Sequence, residues 1–175
     1  MTTWRSVWFS LGSNLGDCAG HLQSAVDFIC ASPNFVDVKV SQVWRTKAIG
    51  GPEQPDYLNA VVHARTDAQA RDILSFSHAC EAQRNRQRDE RWGPRTLDVD
   101  IIAIEGEAHD TAELQVPHPR ACSRGFVLVP LAELADPELL LGSGLVLDTA
   151  GMQLTDVVLR VNQKTTNLGA EVESR

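Results

Sequence analysis

Apolar positions recur along this chain with two distinct periods, and the switches between them mark out its elements. Val7-Trp8-Phe9-Ser10-Leu11 predicts a strand running into a turn at Gly12-Ser13-Asn14-Leu15-Gly16-Asp17. Leu22, Ala25, Val26, Ile29 and Cys30 then fall on one stripe of a helix, with Asp17 or a near neighbour as cap and Ser32-Pro33 as stop. Val36, Val38 and Val40 alternate with Asp37, Lys39 and Ser41, which predicts a second strand. Thr46 to Asp56 is rich in Gly and Pro and reads as a loop long enough to cover a site. A third strand starts at Tyr57, with Leu58, Ala60, Val62 and Ala64 on one face and Tyr57, Asn59, Val61 and His63 on the other. Asp67 is placed to cap a second helix whose inner stripe is Ala70, Ile73, Leu74, Ser77 and Cys80. Leu97, Val99 and Ile101 alternate with Asp98 and Asp100 in a further strand continuing through Ile104.

Helices interrupt this series without strict alternation, which predicts an α+β fold rather than a doubly wound parallel sheet. The β-α-β-β-α-β order is that of a ferredoxin-like sandwich, a mainly antiparallel sheet with helices packed on it. Downstream, Val116-Pro117-His118-Pro119-Arg120 predicts a turn, and Arg124-Gly125-Phe126 opens an apolar helix through Val129, Leu131 and Leu134. Leu139 to Leu147 reads as a further strand or hairpin, and Leu154, Val157, Val158 and Val161 as a last short helix. A single domain over residues 1–162 and a polar tail over 163–175 are expected.

At 175 residues and 43% hydrophobic, the chain can bury a substantial core. Its net charge of −7, with no long basic run, argues against bulk nucleic-acid binding. Met1 to Arg5 does not resemble a secretion signal, and no apolar run approaches a membrane span, so a cytoplasmic, membrane-free protein is expected. Cys18, Cys30, Cys80 and Cys122 lack the paired spacing of a zinc site and read as reduced packing residues.

Chemistry concentrates at Arg91-Trp92-Gly93-Pro94-Arg95-Thr96-Leu97-Asp98-Val99-Asp100. Strand alternation puts Asp98 and Asp100 on one face, roughly 7 Å apart at about 3.4 Å per residue. Two carboxylates so placed repel each other unless a cation lies between them, and magnesium suits one or two carboxylates with phosphate oxygens completing its shell. Arg91 and Arg95 supply forked donors that match phosphates, and Trp92 can lie against a flat ring. A lone Asp-x-Asp is usually a solvated strand face; the arginine-aromatic prefix favours metal-nucleotide chemistry. Glu81 falls on the inner face of the second helix, unusual for an acid without a partner. Arg84, Arg86, Arg88 and Arg91 follow in a span without apolar anchors, read as a mobile surface loop. Tyr57 and Asn59 could stack on a ring and read its edge, or simply close a sheet end.

The run Arg-Trp-Gly-Pro-Arg-Thr-Leu-Asp-x-Asp-Ile closely resembles the signature of the 6-hydroxymethyl-7,8-dihydropterin pyrophosphokinases. Leu-Gly-Ser-Asn-Leu-Gly at residues 11–16, Gln-Pro-Asp-Tyr-Leu-Asn at 54–59, and Val-Pro-His followed by Arg-Gly-Phe at 116–126 resemble further segments of that family, in its order. The resemblance covers roughly residues 6 to 160. It implies transfer of pyrophosphate from ATP to the pterin's hydroxymethyl oxygen, in folate biosynthesis, with two magnesium ions held by Asp98 and Asp100. It implies that Arg86 and Arg95 act on the transferring phosphates, Arg84 and Arg88 being the alternative matches for the loop arginine. Glu81, Arg88, Trp92, Arg95, Ile101, His118 and Arg124 would contact ATP; Thr46, Tyr57, Asn59, Trp92, Asp98 and Phe126 would contact the pterin. The chain departs from the family in a Glu81-to-Trp92 span shorter by a single residue, in Asn85 where glycine is common, and in Thr46-Lys47-Ala48 replacing Thr-Pro-Pro. A monomer is expected. The rival readings are a magnesium-dependent nucleotide hydrolase and a nucleotide- or pterin-binding module without activity.

Overall fold

The computed structural model describes residues 3–84 and 96–163. In chain order the elements are β1 (Arg5–Ser13), α1 (Cys18–Ala31), β2 (Phe35–Val40), β3 (Trp44–Thr46), β4 (Tyr57–Thr66), α2 (Ala70–Ala82), β5 (Asp98–Ile104), β6 (His109–Asp110), β7 (Gln115–Val116), α3 (Gly125–Ala132), α4 (Pro137–Leu141) and β8 (Gln153–Leu154). The main sheet runs β5-β1-β4-β3-β8, with β2 also paired to β4. Every pairing in it is antiparallel. This is the α+β sandwich that the sequence predicts, with β1 and β4 central and β5 at an edge.

Alternation gives the sheet two unlike faces. On one, Phe9, Leu11, Val62 and Val99 pack under α1 and α2, with Leu22, Ile29 and Ile73 fully buried. On the other, Trp8, Val61, Ile102 and Ala103 pack under α3 through Val127 and Leu131. Ile102 and Ala103 both reach that second face because the β1–β5 register shifts between Trp8 and Phe9, a bulge that inserts one residue into β5. α3 covers only part of the second face, and the rest is open.

Several expectations are corrected. Ser13 extends β1, so Gly12 lies within the strand rather than in the turn. β2 buries Phe35 and Val38, not a strict alternation, because Asp37 takes φ of 52° at a bulge against β4. Asp67 does not cap α2. The Thr66 hydroxyl accepts from the Ala68 amide, a local turn that delays the helix until Gln69 at its N-cap. The run from Leu139 to Leu147 forms no strand; Asp136 caps the short α4 instead, with Pro137 in its first turn. No helix covers Leu154 to Val161 either. That segment is the edge strand β8 followed by an extended strap, tied by the Thr155 amide to the Val43 carbonyl (3.1 Å) and by paired bonds between Arg160 and Gln23 (2.8 Å each). Gln163 ends the strap on β2, where its side chain bonds the Val38 amide and the Phe35 carbonyl beside the bulge.

All four cysteines are free thiols, and burial pushes the Cys80 thiol up to about 12, as befits a packing residue. Among the described residues, no helix is long and apolar enough to cross a membrane.

Candidate active site

The open part of the second face is the floor of a cleft of about 670 Å³, within the usual size range of small-molecule sites. Register builds that floor. Gly12 of β1 pairs with Asn59 on one side and Asp98 on the other, and Ser10 pairs with Asp100. Acid pair and amide therefore face the same way, separated by two strand spacings of roughly 5 Å each. Only small residues, Ser10 and Gly12, lie between them. A Cβ on Gly12 would come within 3.3 Å of Asn59 Oδ1 and 3.7 Å of the Tyr57 ring, so glycine keeps this row open.

At one end, Thr46 and Asn59 are buried, and Asn59 Nδ2 donates to Thr46 Oγ1 at 2.7 Å. That bond fixes the amide and turns its oxygen toward the cleft beside Tyr57. At the other end, carboxylate oxygens of Glu81, Asp98 and Asp100 lie within 4.8 Å of one another. Glu81 reaches them from α2, and its Oε1 also accepts from the Val99 amide at 2.9 Å. Hard oxygen donors this close fit a divalent cation of the magnesium class, which relieves their mutual repulsion.

The wall beside α3 carries His118, Arg120, Arg124 and Phe126. The Arg124 guanidinium lies 5.5 Å from the Phe126 ring centroid, a cation-π contact at the cleft edge. Burial, reinforced by Arg124 and Arg120 and opposed by Asp98, lowers the His118 pKa and so favours the neutral ring. His118 Nδ1 accepts from the Arg120 amide at 3.2 Å, which leaves Nε2–H as the donor. A neutral donor flanked by two guanidiniums suits an anionic oxygen.

Facing that wall, the 46–56 loop brings Lys47, Ile49 and Gln54 to the rim. Asn14 pins the loop, its Nδ2 donating to Gln54 Oε1 (2.9 Å) and the Pro55 carbonyl (3.0 Å), while Lys47 pairs with Asp56 at 3.3 Å. The Ser13 hydroxyl donates to the Thr96 carbonyl, and that of Thr96 to the Arg84 carbonyl at 2.9 Å. Ser13 and Asn14 thus tie the segments flanking the cleft to the end of β1.

Thr46, Tyr57, Asn59, Asp98, Asp100, His118, Arg124 and Phe126 all line the one cleft, and Glu81 joins its acidic end. Ile101 does not line it. Its side chain is 5% exposed in the core beneath α1 and α2, because alternation turns it away from Asp100, so a side-chain contact with nucleotide is not supported. Arg86, Arg88, Trp92 and Arg95 lie outside the described residues. Sequence reasoning overlooked Ser10, Gly12, Lys47 and Arg120 as lining residues; Arg120 stands two positions from His118 in the same proline-bracketed turn.

A family model for 7,8-dihydro-6-hydroxymethylpterin-pyrophosphokinase matches residues 8–136, the span that supplies this cleft from Ser10 to Phe126. The chain belongs to that family. A 2-amino-4-hydroxy-6-hydroxymethyldihydropteridine pyrophosphokinase of Methylorubrum extorquens is 40% identical over 136 residues, 78% of this chain and 85% of that protein. The Pseudomonas aeruginosa protein of the same name is 39% identical over 138 residues, covering 79% and 85%. That of Bacillus subtilis is 38% identical over 128 residues, covering 73% and 77%. The strap from Gln153 to Gln163 lies beyond the matched pyrophosphokinase span, so the edge of the sheet is finished by sequence outside it.

Proposed function

We infer that this chain is an ATP-dependent pyrophosphokinase: it moves the terminal pyrophosphoryl group of ATP to the hydroxymethyl oxygen of 6-hydroxymethyl-7,8-dihydropterin, releasing AMP, in folate biosynthesis. The observation that carries this is the row Asn59–Gly12–Asp98, which sets a ring-reading amide and a metal-type carboxylate pair in one cleft, on the two strands that flank β1. Tyr57 and Phe126 hold the two faces of the flat pterin, and Asn59, locked by Thr46, reads its polar edge. The hydroxymethyl arm then extends over Ser10 and Gly12 toward Asp98 and Asp100.

Those two aspartates, with Glu81 beside them, would hold the two magnesium ions that the family resemblance implies. Bound there, such ions would supply positive charge to offset that of the triphosphate. His118 Nε2–H and the Arg124 guanidinium donate to phosphate oxygens from the opposite wall. On the family resemblance, Arg86 and Arg95 follow the charge as it moves, Arg88 adds a nucleotide contact, and Trp92 closes against the substrates. Positioning and electrostatics supply the catalysis, and no covalent protein nucleophile is needed. We place the protein in the cytoplasm as a monomer, with one domain over 1–162 and a tail over 163–175.

The test is product analysis with purified protein, ATP, magnesium and 6-hydroxymethyl-7,8-dihydropterin. AMP and pterin diphosphate should accumulate in equal amounts and only with both pterin and metal present. ADP or pyrophosphate released without pterin would instead mark a nucleotide hydrolase, and pterin binding without turnover an inactive module.

A further inference from the structure

Val99 lies between Asp98 and Asp100, and its backbone is held in an unusual way. Both its polar groups are taken by α2: the amide donates to Glu81 Oε1 at 2.9 Å, and the carbonyl accepts from the Ser77 hydroxyl. In an antiparallel ladder a residue's N–H and C=O point the same way in the plane of the sheet, so those of Val99 face the free edge of β5. The neighbouring positions, paired with Gly12 and Ser10, turn theirs toward β1. The peptide units joining the two aspartates are thus secured by the sheet on one side and by two side chains on the other.

Those side chains stand one helical turn apart on α2, with Ser77 2% and Glu81 3% exposed. The rest of the stripe, Ala70, Ile73 and Cys80, is apolar core. Packing alone would be served by alanine at 77, whereas the serine hydroxyl donates to the Val99 carbonyl.

We propose that Ser77 is a positioning residue: with Glu81 it clamps Val99 and thereby sets the spacing at which Asp98 and Asp100 present their carboxylates to a divalent cation. This rests on reading the two aspartates as the metal ligands. Without the Ser77 bond, the Val99 carbonyl loses a buried partner and the strand between the ligands is free to shift. Residues that orient metal ligands typically matter about ten- to a hundredfold for metal affinity.

The experiment measures Mn2+ binding by electron paramagnetic resonance, in the presence of a non-hydrolysable ATP analogue, together with amide exchange at Val99. Ser77→Ala should weaken Mn2+ binding about tenfold and speed exchange at Val99 relative to Val7 and Val62 in the central strands. Ser77→Thr, which keeps the hydroxyl, should stay within about twofold of wild type by the same measure. Ile73→Val, one turn earlier on the same stripe, trims packing while leaving both α2 hydrogen bonds to Val99 in place and should leave Mn2+ binding unchanged. Wild-type affinity in Ser77→Ala, equal weakening in Ser77→Thr, or equal weakening in Ile73→Val would each overturn the clamp. Asp98→Ala separates this from the metal reading: undiminished Mn2+ binding there would mean the aspartates are not ligands, and the inference would fall with them.

Discussion

The two faces of the central sheet are built from the same strands and do opposite jobs. Along β1, Phe9 and Leu11 are wholly buried under α1 and α2, while Ser10 and Gly12, alternating with them, floor the cleft. Along β5, Val99 and Ile101 join that core, whereas Asp98 and Asp100 face the cleft. Stability and chemistry are therefore interleaved at single-residue spacing. The sheet's period of two keeps them apart, since neighbouring side chains take opposite faces wherever no bulge intervenes. A one-residue slip would exchange the two sets, so the apolar face fixes the geometry of the polar one.

Adjacent substitutions should then separate the two properties. The largest effect expected is on the apolar face. Phe9 is 0% exposed and meets Phe35 edge-on at 5.8 Å, so Phe9→Ala should cost about 3–5 kcal/mol in a urea titration, with KM values of the folded enzyme unchanged. On the polar face, Asp98→Ala should lower kcat by more than about a hundredfold. Its stability in metal-free buffer should be unchanged or raised, because one of three carboxylates whose oxygens lie within 4.8 Å is gone. Loss of both activity and stability in either variant would show that the faces are not independent.

How much of this was legible in the sequence differs between the faces in the same way. The stripe Leu22–Ala25–Val26–Ile29–Cys30 and the β5 alternation were readable because burial imposes a period, and α1 and β5 follow it. The cleft shows no period. Tyr57, Asn59, His118 and Phe126 were found through the resemblance of short motifs, and sheet register, which periodicity does not encode, unites them. Failures came where tertiary bonds decide local form. β3 is too short to show alternation, and the strap after Leu154 is held extended by Val43, Gln23 and Phe35 rather than by its own pattern. Asp136-Pro137 carried a helix-start signal that the following leucines obscured.

A milder substitution sharpens the comparison at the row joining the two halves of the cleft. Gly12→Ala adds a methyl 3.3 Å from Asn59 Oδ1, tighter than ordinary contact. A strand prefers Ala to Gly by about 0.5–1 kcal/mol, so stability should hold or rise slightly. The pterin KM should rise several-fold while the KM for ATP holds, because Asn59 must yield while the aspartates need not. Equal changes in both KM values would mean that the row does not divide the cleft as its register implies.

The smallest effect expected is a pH dependence of stability, and it too divides along the sheet. His63, at the far end of β4 from the cleft, contacts Ser6 Oγ at 2.9 Å and lies 5.2 Å from the Trp8 ring. Burial lowers its pKa, with Lys39 and Arg65 adding to the effect and Asp37 and Glu105 opposing it. A group whose folded pKa is depressed below about 6.5 binds its proton more readily when unfolded. Stability should accordingly decline as pH falls through that value, and level off once pH drops below the folded pKa. His118 shifts the same way for the same leading reason, so both histidines contribute in the free protein. They should part when a non-hydrolysable ATP analogue is present. Phosphate beside His118 favours its charged form and should flatten its share of the slope, whereas His63, remote from the cleft, should keep its own. Urea midpoints at pH 7.5 and 5.5 for His63→Gln and His118→Gln, with and without the analogue, resolve the two; a His63 contribution that vanishes with nucleotide would place that ring in contact with the site after all.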